Sequence, residues 1–159
     1  MAITTAAGIS PTTVSATQQA PLGFELTVPT ANQGEQVWIY VQANNGDGLT
    51  PGMVCARGAG VAALTYDVIP APVITGVNGV VGVAVTLIPD NNFGFIMKKG
   101  ITGVVAGNGT IDVDEVIIVG NVIGTADTGG GAAANIGFGW ASANAAAGVV
   151  AVCYINCVG

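Results

Sequence analysis

The sequence predicts an all-β protein: a small β-barrel, or a β-tulip or sandwich, with an internal near-repeat and an extended N-terminal arm. Three observations carry that expectation. The 25 glycines among 159 residues suit tight turns and close backbone approach, and they disfavour helix. The apolar residues gather in short runs, rich in Val and Ile and separated by turn residues. Sliding the second half over the first aligns two sets of such runs.

Length and composition bound the rest. A chain of 159 residues is about one domain's worth and can bury a single core. Charged residues make up 8% and apolar residues 51%, against a usual charged share of about a quarter. A monomer so poor in charge cannot cover itself as ordinary soluble proteins do, so partners are expected to hide part of its surface. The net charge is −6, and the three basic residues, Arg57, Lys98 and Lys99, are too few to neutralise a run of phosphates, which argues against nucleic-acid binding. The stretch from Met1 to Gly8 has neither a basic n-region nor an unbroken apolar core, so neither a signal peptide nor a membrane partner is expected, and synthesis in the cytoplasm is.

The first 35 residues read as an extended arm. Thr4, Thr5, Thr12, Thr13, Ser15, Thr17, Gln18 and Gln19 crowd around Pro11 and Pro21 with few large apolar groups, too little to order alone. Leu22, Phe24, Leu26 and Val28 then alternate with smaller or polar residues, which places the four on one face of a strand. Pro21 and Pro29 bracket it, as suits an edge or added strand. The arm is expected to be dispensable for folding of the remainder but needed for attachment to partners.

Residues 36–159 read as one β domain. Strands are expected at 37–42, 53–56, 80–87, 93–97, 101–105, 111–119, 136–141 and 149–155. Asn45-Gly46, Asn78-Gly79 and Asn108-Gly109 supply the positive φ of tight turns. Lys98-Lys99, ahead of Gly100, read as the cap of a strand at a turn. An extra strand-like insert spans 61–66, followed by Pro70-Ala71-Pro72, and the Gly/Ala run 129–134 reads as a loop. Trp38, Tyr40, Phe93, Phe95, Phe138 and Trp140 fall in strands, where bulky rings fill the core of a Gly/Ala/Val-rich sheet.

Chemistry is sparse. There is no His, which removes the commonest general base and a common metal ligand. None of the three serines, Ser10, Ser15 and Ser142, and neither lysine sits in a nucleophile or phosphate-loop setting. No catalytic residue, cofactor or small-molecule substrate is therefore expected. Asp112, Asp114 and Glu115, with Asp127 beyond, form the one carboxylate cluster; strand alternation puts Asp112 and Asp114 on one face. They lack calcium-loop spacing, so a solvated strand entry is expected, with no metal bound and no effect of chelators on stability. Cys55, Cys153 and Cys157 are expected as reduced, buried small hydrophobes, since Cys153 and Cys157 have no further ligands for zinc.

The near-repeat relates residues 37–97 to 101–155. Leu49 to Cys55 lies over Ile111 to Ile117 at an offset of 62 residues (111 − 49). Gly82-Val83-Ala84-Val85 lies over Gly137-Phe138-Gly139-Trp140, and Phe95-Ile96-Met97 over Val150-Ala151-Val152, both at 55 (137 − 82).

These parts, with the run from Gly137 to Val150, resemble the phage capsid cement family of small Gly/Ala/Val-rich head decoration proteins. The resemblance touches about half of the chain and is compositional. It implies a small β-barrel or β-tulip on the capsid exterior, a homotrimer that clamps neighbouring capsomers of the major capsid protein, and no catalytic residues. Leu22, Phe24, Leu26 and Val28, with Lys98 and Lys99, are the residues expected to meet partners. Two other readings fit the β-rich pattern: a tail, fibre or adhesin module that binds a host glycan through strand aromatics, and a filament subunit that donates the 22–28 strand.

Overall fold

The computed structural model describes residues 8–58, 66–73, 79–129 and 137–158. Among them are ten strands and no helix. The strands are β1 (Glu25–Thr30), β2 (Gly34–Ala43), β3 (Val54–Arg57), β4 (Asp67–Pro70), β5 (Val80–Ala84), β6 (Phe93–Val105), β7 (Val116–Val119), β8 (Ala126–Thr128), β9 (Gly139–Ala141) and β10 (Val150–Asn156). They form one sheet in the order β1-β2-β4-β3-β5-β6-β10-β9-β7-β8, and β2 also pairs with β6. The fold is all-β, as the turn-rich Val/Ile pattern requires.

The extra β2–β6 pairing closes β2, β4, β3, β5 and β6 into a ring. Along β2 the side chains alternate between its two sides. Ile39, Val41 and Ala43 point inward and join Leu49, Cys55, Val68, Val81, Ala84, Ile88 and Ile96 in the ring's core. Trp38 and Tyr40 point outward, yet they too are buried. A strand buried on both faces explains why β2 reads as a continuous apolar run from Val37 to Val41.

A second ring follows from the first through β6. Its first half pairs with β2 and β5, and its second half, residues 99–105, pairs with β10. Just past its end, Ala106 forms a parallel bridge to Ala126 of β8, as Ala43 of β2 pairs in parallel with Val68 of β4. The remaining pairings also match. Cys55↔Gly82 corresponds to Ile117↔Gly139, Val83↔Met97 to Trp140↔Tyr154, and Leu49↔Ile88 to Ile111↔Ala145. The second interior holds Val104, Ala106, Ile111, Ile117, Ala126 and Ala141, all buried. The offset is 62 for β3 onto β7 (117 − 55) and 57 for β6 onto β10 (154 − 97). The latter corrects the 55 of the sequence alignment by two residues, a slip that keeps every side chain on its face because the strand period is two.

Several elements differ from expectation. Residues 93–97 and 101–105 are one strand of 13 residues, not two, because the ladder runs on through Lys98-Lys99-Gly100; Gly100 takes φ +134, where a Cβ would come within 3.1 Å of Gln36 and 3.2 Å of Met97. Of 111–119 only Val116–Val119 is strand. Ile111 is an isolated bridge, and Asp114 takes φ 65 in the intervening turn, so Asp112 and Asp114 do not share a strand face. β5 ends at Ala84 rather than at residue 87. Pro29 lies inside β1 opposite Glu35, which an edge strand tolerates because one side of its backbone has no ladder to complete. Gly46 has the expected positive φ, 84, whereas neither Asn108 nor Gly109 does. The short strands β4 and β8 carry too few apolar residues to stand out in the sequence. Asn78 and residues 61–65 and 130–134 lie outside the described residues.

Gly139 makes the closest strand contact in the second ring. A Cβ there would collide with the Tyr154 carbonyl oxygen and approach Ile155 Cα of β10 to 2.9 Å. Both obstacles are backbone of the neighbouring strand, so relief requires the strands to part. Gly139→Ala is expected to cost about 3 kcal/mol or more, measured as a fall in the urea midpoint.

Candidate functional site

The residues singled out as partner contacts are placed within the chain's own structure. Leu26 pairs with Trp38 across β1–β2, Phe24 meets Phe95 edge-on with ring centroids 6.5 Å apart, and Val28 is fully buried. Leu22, Phe24 and Leu26 are partly buried against the same cluster as Tyr40, Phe95 and Met97. The polar part of the arm is fixed too. Ser15 and Phe93 exchange backbone hydrogen bonds of 3.0 and 2.8 Å, and the Gln19 N–H donates to Tyr40 Oη at 3.0 Å. From Gly8 onward, therefore, the arm lies along the body, a correction to the free extension expected from its composition. Its side chains are too polar to form a core, but its backbone finds partners on β2 and β6.

Lys98 and Lys99 sit within β6 rather than at a turn. Lys98 Nζ pairs with Glu25 of β1 at 2.6 Å, and Lys99 Nζ with Glu35 of β2 at 3.7 Å. They tie the edge hairpin to the shared strand, although pairs this exposed contribute little stability. Among the described residues no group of three His, Cys, Asp or Glu side chains comes together. Asp112, Asp114 and Glu115 are exposed. Asp127 instead stitches two loops, accepting from the Asn121 N–H at 2.9 Å and the Gly109 N–H at 3.3 Å. Asp90 accepts from the backbone of Gly46 (2.8 Å) and Asn45 (3.0 Å), which holds its carboxyl below the usual range. The three thiols are buried and unbridged; burial pushes Cys55 and Cys157 up to about 12 and Cys153 to about 11.

The feature that the residue-by-residue reading missed is the outer face of the second ring. Tyr154 pairs with Ile101 on one side and Trp140 on the other, Val152 with Gly103, Val150 with Val105, and Trp140 with Val116. Residues directly opposite across a ladder share a face, so these eight form one surface spanning β6, β10, β9 and β7. None is charged. Trp140 is 50% exposed, Val150 54%, Val152 47% and Val116 38%. The Trp140 ring stacks on Tyr154 with centroids 4.4 Å apart. Trp140 therefore corrects the expectation that every strand aromatic fills the core, whereas Trp38, Tyr40, Phe95 and Phe138 do fill it. Beside Val150 the face dips into a shallow depression of about 140 Å³ lined by Pro51, Gly52, Ala84, Val85, Thr102 and Gly103. The signal was present in the sequence: β10 is apolar on both faces, Val150, Val152 and Tyr154 as well as Ala151, Cys153 and Ile155, a pattern that requires cover on both sides.

No protein-family model matches the chain, and no curated protein does. Among solved structures, the head fiber gp8.5 N base of bacteriophage phi29 is similar, with a TM-score of 0.50 and 16% sequence identity over 74% of this chain and 93% of that one. At that identity the likeness is one of fold.

Proposed function

We propose that the chain is a structural subunit of a bacteriophage head: a decoration or cement protein on the capsid exterior, acting as a homotrimer that bridges neighbouring capsomers of the major capsid protein. The observation that carries this reading is the overlap of its fold with nearly the whole of a phage head fiber base. The composition supports it. A chain with 8% charged residues and an uncharged, half-exposed sheet face is suited to an assembly, because such surface is costly to leave in water. The reading requires no catalysis, cofactor, nucleic acid or membrane. Heads assembled without the protein are expected to bind it when it is added back, to show external density at three-fold positions by electron microscopy, and to resist heat or denaturant better. Heads that gain neither density nor stability would overturn the reading.

One observation favours a second reading. Trp140 stacked on Tyr154 with half its surface exposed is the kind of aromatic platform on which a sugar ring packs, which suits a fibre or adhesin module that binds a host glycan. Binding on a glycan array, lost on Trp140→Ala, would support that alternative; an array without hits removes it.

A further inference from the structure

We infer that the outer face of the second ring is a contact surface between copies of this chain, so that a second copy seats on Trp140, Tyr154, Val150 and Val152. This deepens the subunit reading and rests on its claim that the protein self-assembles.

Matching the two rings by their strand pairings makes Val83 equivalent to Trp140, Met97 to Tyr154, Phe95 to Val152 and Val54 to Val116. In the first ring these outward positions are covered, since Val54, Val83, Phe95 and Met97 are at most 3% exposed. The cover there comes from this chain's own apolar groups, among them Leu22 and Phe24 of the arm. In the second ring Trp140, Val152 and Val116 are 38–50% exposed. The chain has one arm for two equivalent faces.

Charge selects the occupant. Each copy carries −6, so two copies repel except where their surfaces bring no charge together. This face is such a surface: it is uncharged at its centre and bordered by Lys99, already paired with Glu35, and by the exposed Glu115. A basic partner would find no carboxylate at the centre to meet.

Shape points the same way. The face carries both a half-exposed ring, Trp140, and, across β10, a shallow depression of about 140 Å³. An exposed ring and a recess on one surface allow the ring of one copy to enter the recess of the next, an arrangement open to both two-fold and cyclic assemblies. An apolar centre with a buried aromatic anchor inside a polar rim is the anatomy of a protein interface.

The test is the mass of the purified protein in solution by light scattering over a range of concentrations, with Trp140→Glu and Val152→Glu made separately. Both side chains point outward, so circular dichroism should remain that of the parent. The parent is expected to run as a multiple of 15.6 kDa, and each variant to assemble roughly 30-fold or more weakly. Folded variants that assemble as tightly as the parent would overturn this inference while leaving self-assembly intact. A parent that is monomeric throughout would overturn both. A monomeric parent whose head binding is lost in the variants would assign the face to the shell instead.

Discussion

A chain lacking residues 1–30 is expected to be unfolded. The deletion removes β1, whose Val28 is fully buried, and strips Leu22, Phe24 and Leu26 from the cluster around Tyr40 and Phe95. A fully buried side chain of this size contributes roughly 1.5–3 kcal/mol. Three partial burials and one full one therefore amount to about 6 kcal/mol, comparable with the whole stability of a domain at about 5–15 kcal/mol. The backbone hydrogen bonds that the Gly23 N–H donates to the Tyr40 carbonyl and the Tyr40 N–H donates to the Phe24 carbonyl go as well. Circular dichroism and size exclusion of the truncated protein check this. Cooperative, native-like unfolding of 31–159 would show that the arm only decorates the body.

The second large effect is alkaline unfolding. Cys55 and Cys157 hold their protons up to about pH 12 in the folded chain, against an ordinary thiol value of 9.0. Burial leaves the thiolate without water. Because the folded value is raised, the stability is fully present below pH 9 and is lost as pH rises toward 12: the unfolded chain releases protons that the folded one retains. Each thiol contributes about 1.4 kcal/mol per pH unit across that window. With Cys153, raised to about 11, the three together give about 4 kcal/mol per unit between pH 9 and 11, enough to unfold an ordinary domain near pH 11. Urea midpoints at pH 8, 9.5 and 11 should fall accordingly, and Cys157→Ala should lower the slope by about a third. A midpoint that holds steady to pH 11 would mean that all three thiols reach solvent.

Much of this fold was legible because its signals are local. The 37–42 and 149–155 runs became β2 and β10 through almost unbroken apolar stretches rich in Val and Ile, and the Leu49/Ile111 alignment found equivalent bridges in the two rings. Placement against other strands was not legible. Lys98-Lys99-Gly100 has the composition of a turn and lies within a strand, because pairing with β10 continues the ladder past it. Trp140 has the composition of a core residue and stands half in water, because the two sides of a strand are distinguished only by what packs on each. Leu26 and Val28 were correctly put on one face, but whether that face meets the chain's own body or another molecule depends on β2 and β6, which are distant in sequence.

The strand shared by both rings has a mechanical consequence. β6 supplies one wall of each ring, so its register is fixed twice, once by β2 and β5 and once by β10. A shift of one residue would turn Ile96 out of one interior and Val104 out of the other together. The two ladders meet at Lys99, which pairs with Val37 of β2 on one side and Asn156 of β10 on the other. Pulled from its ends, such a chain should yield in one step rather than ring by ring, and a force applied to one ring is carried directly into the other along a single covalent strand.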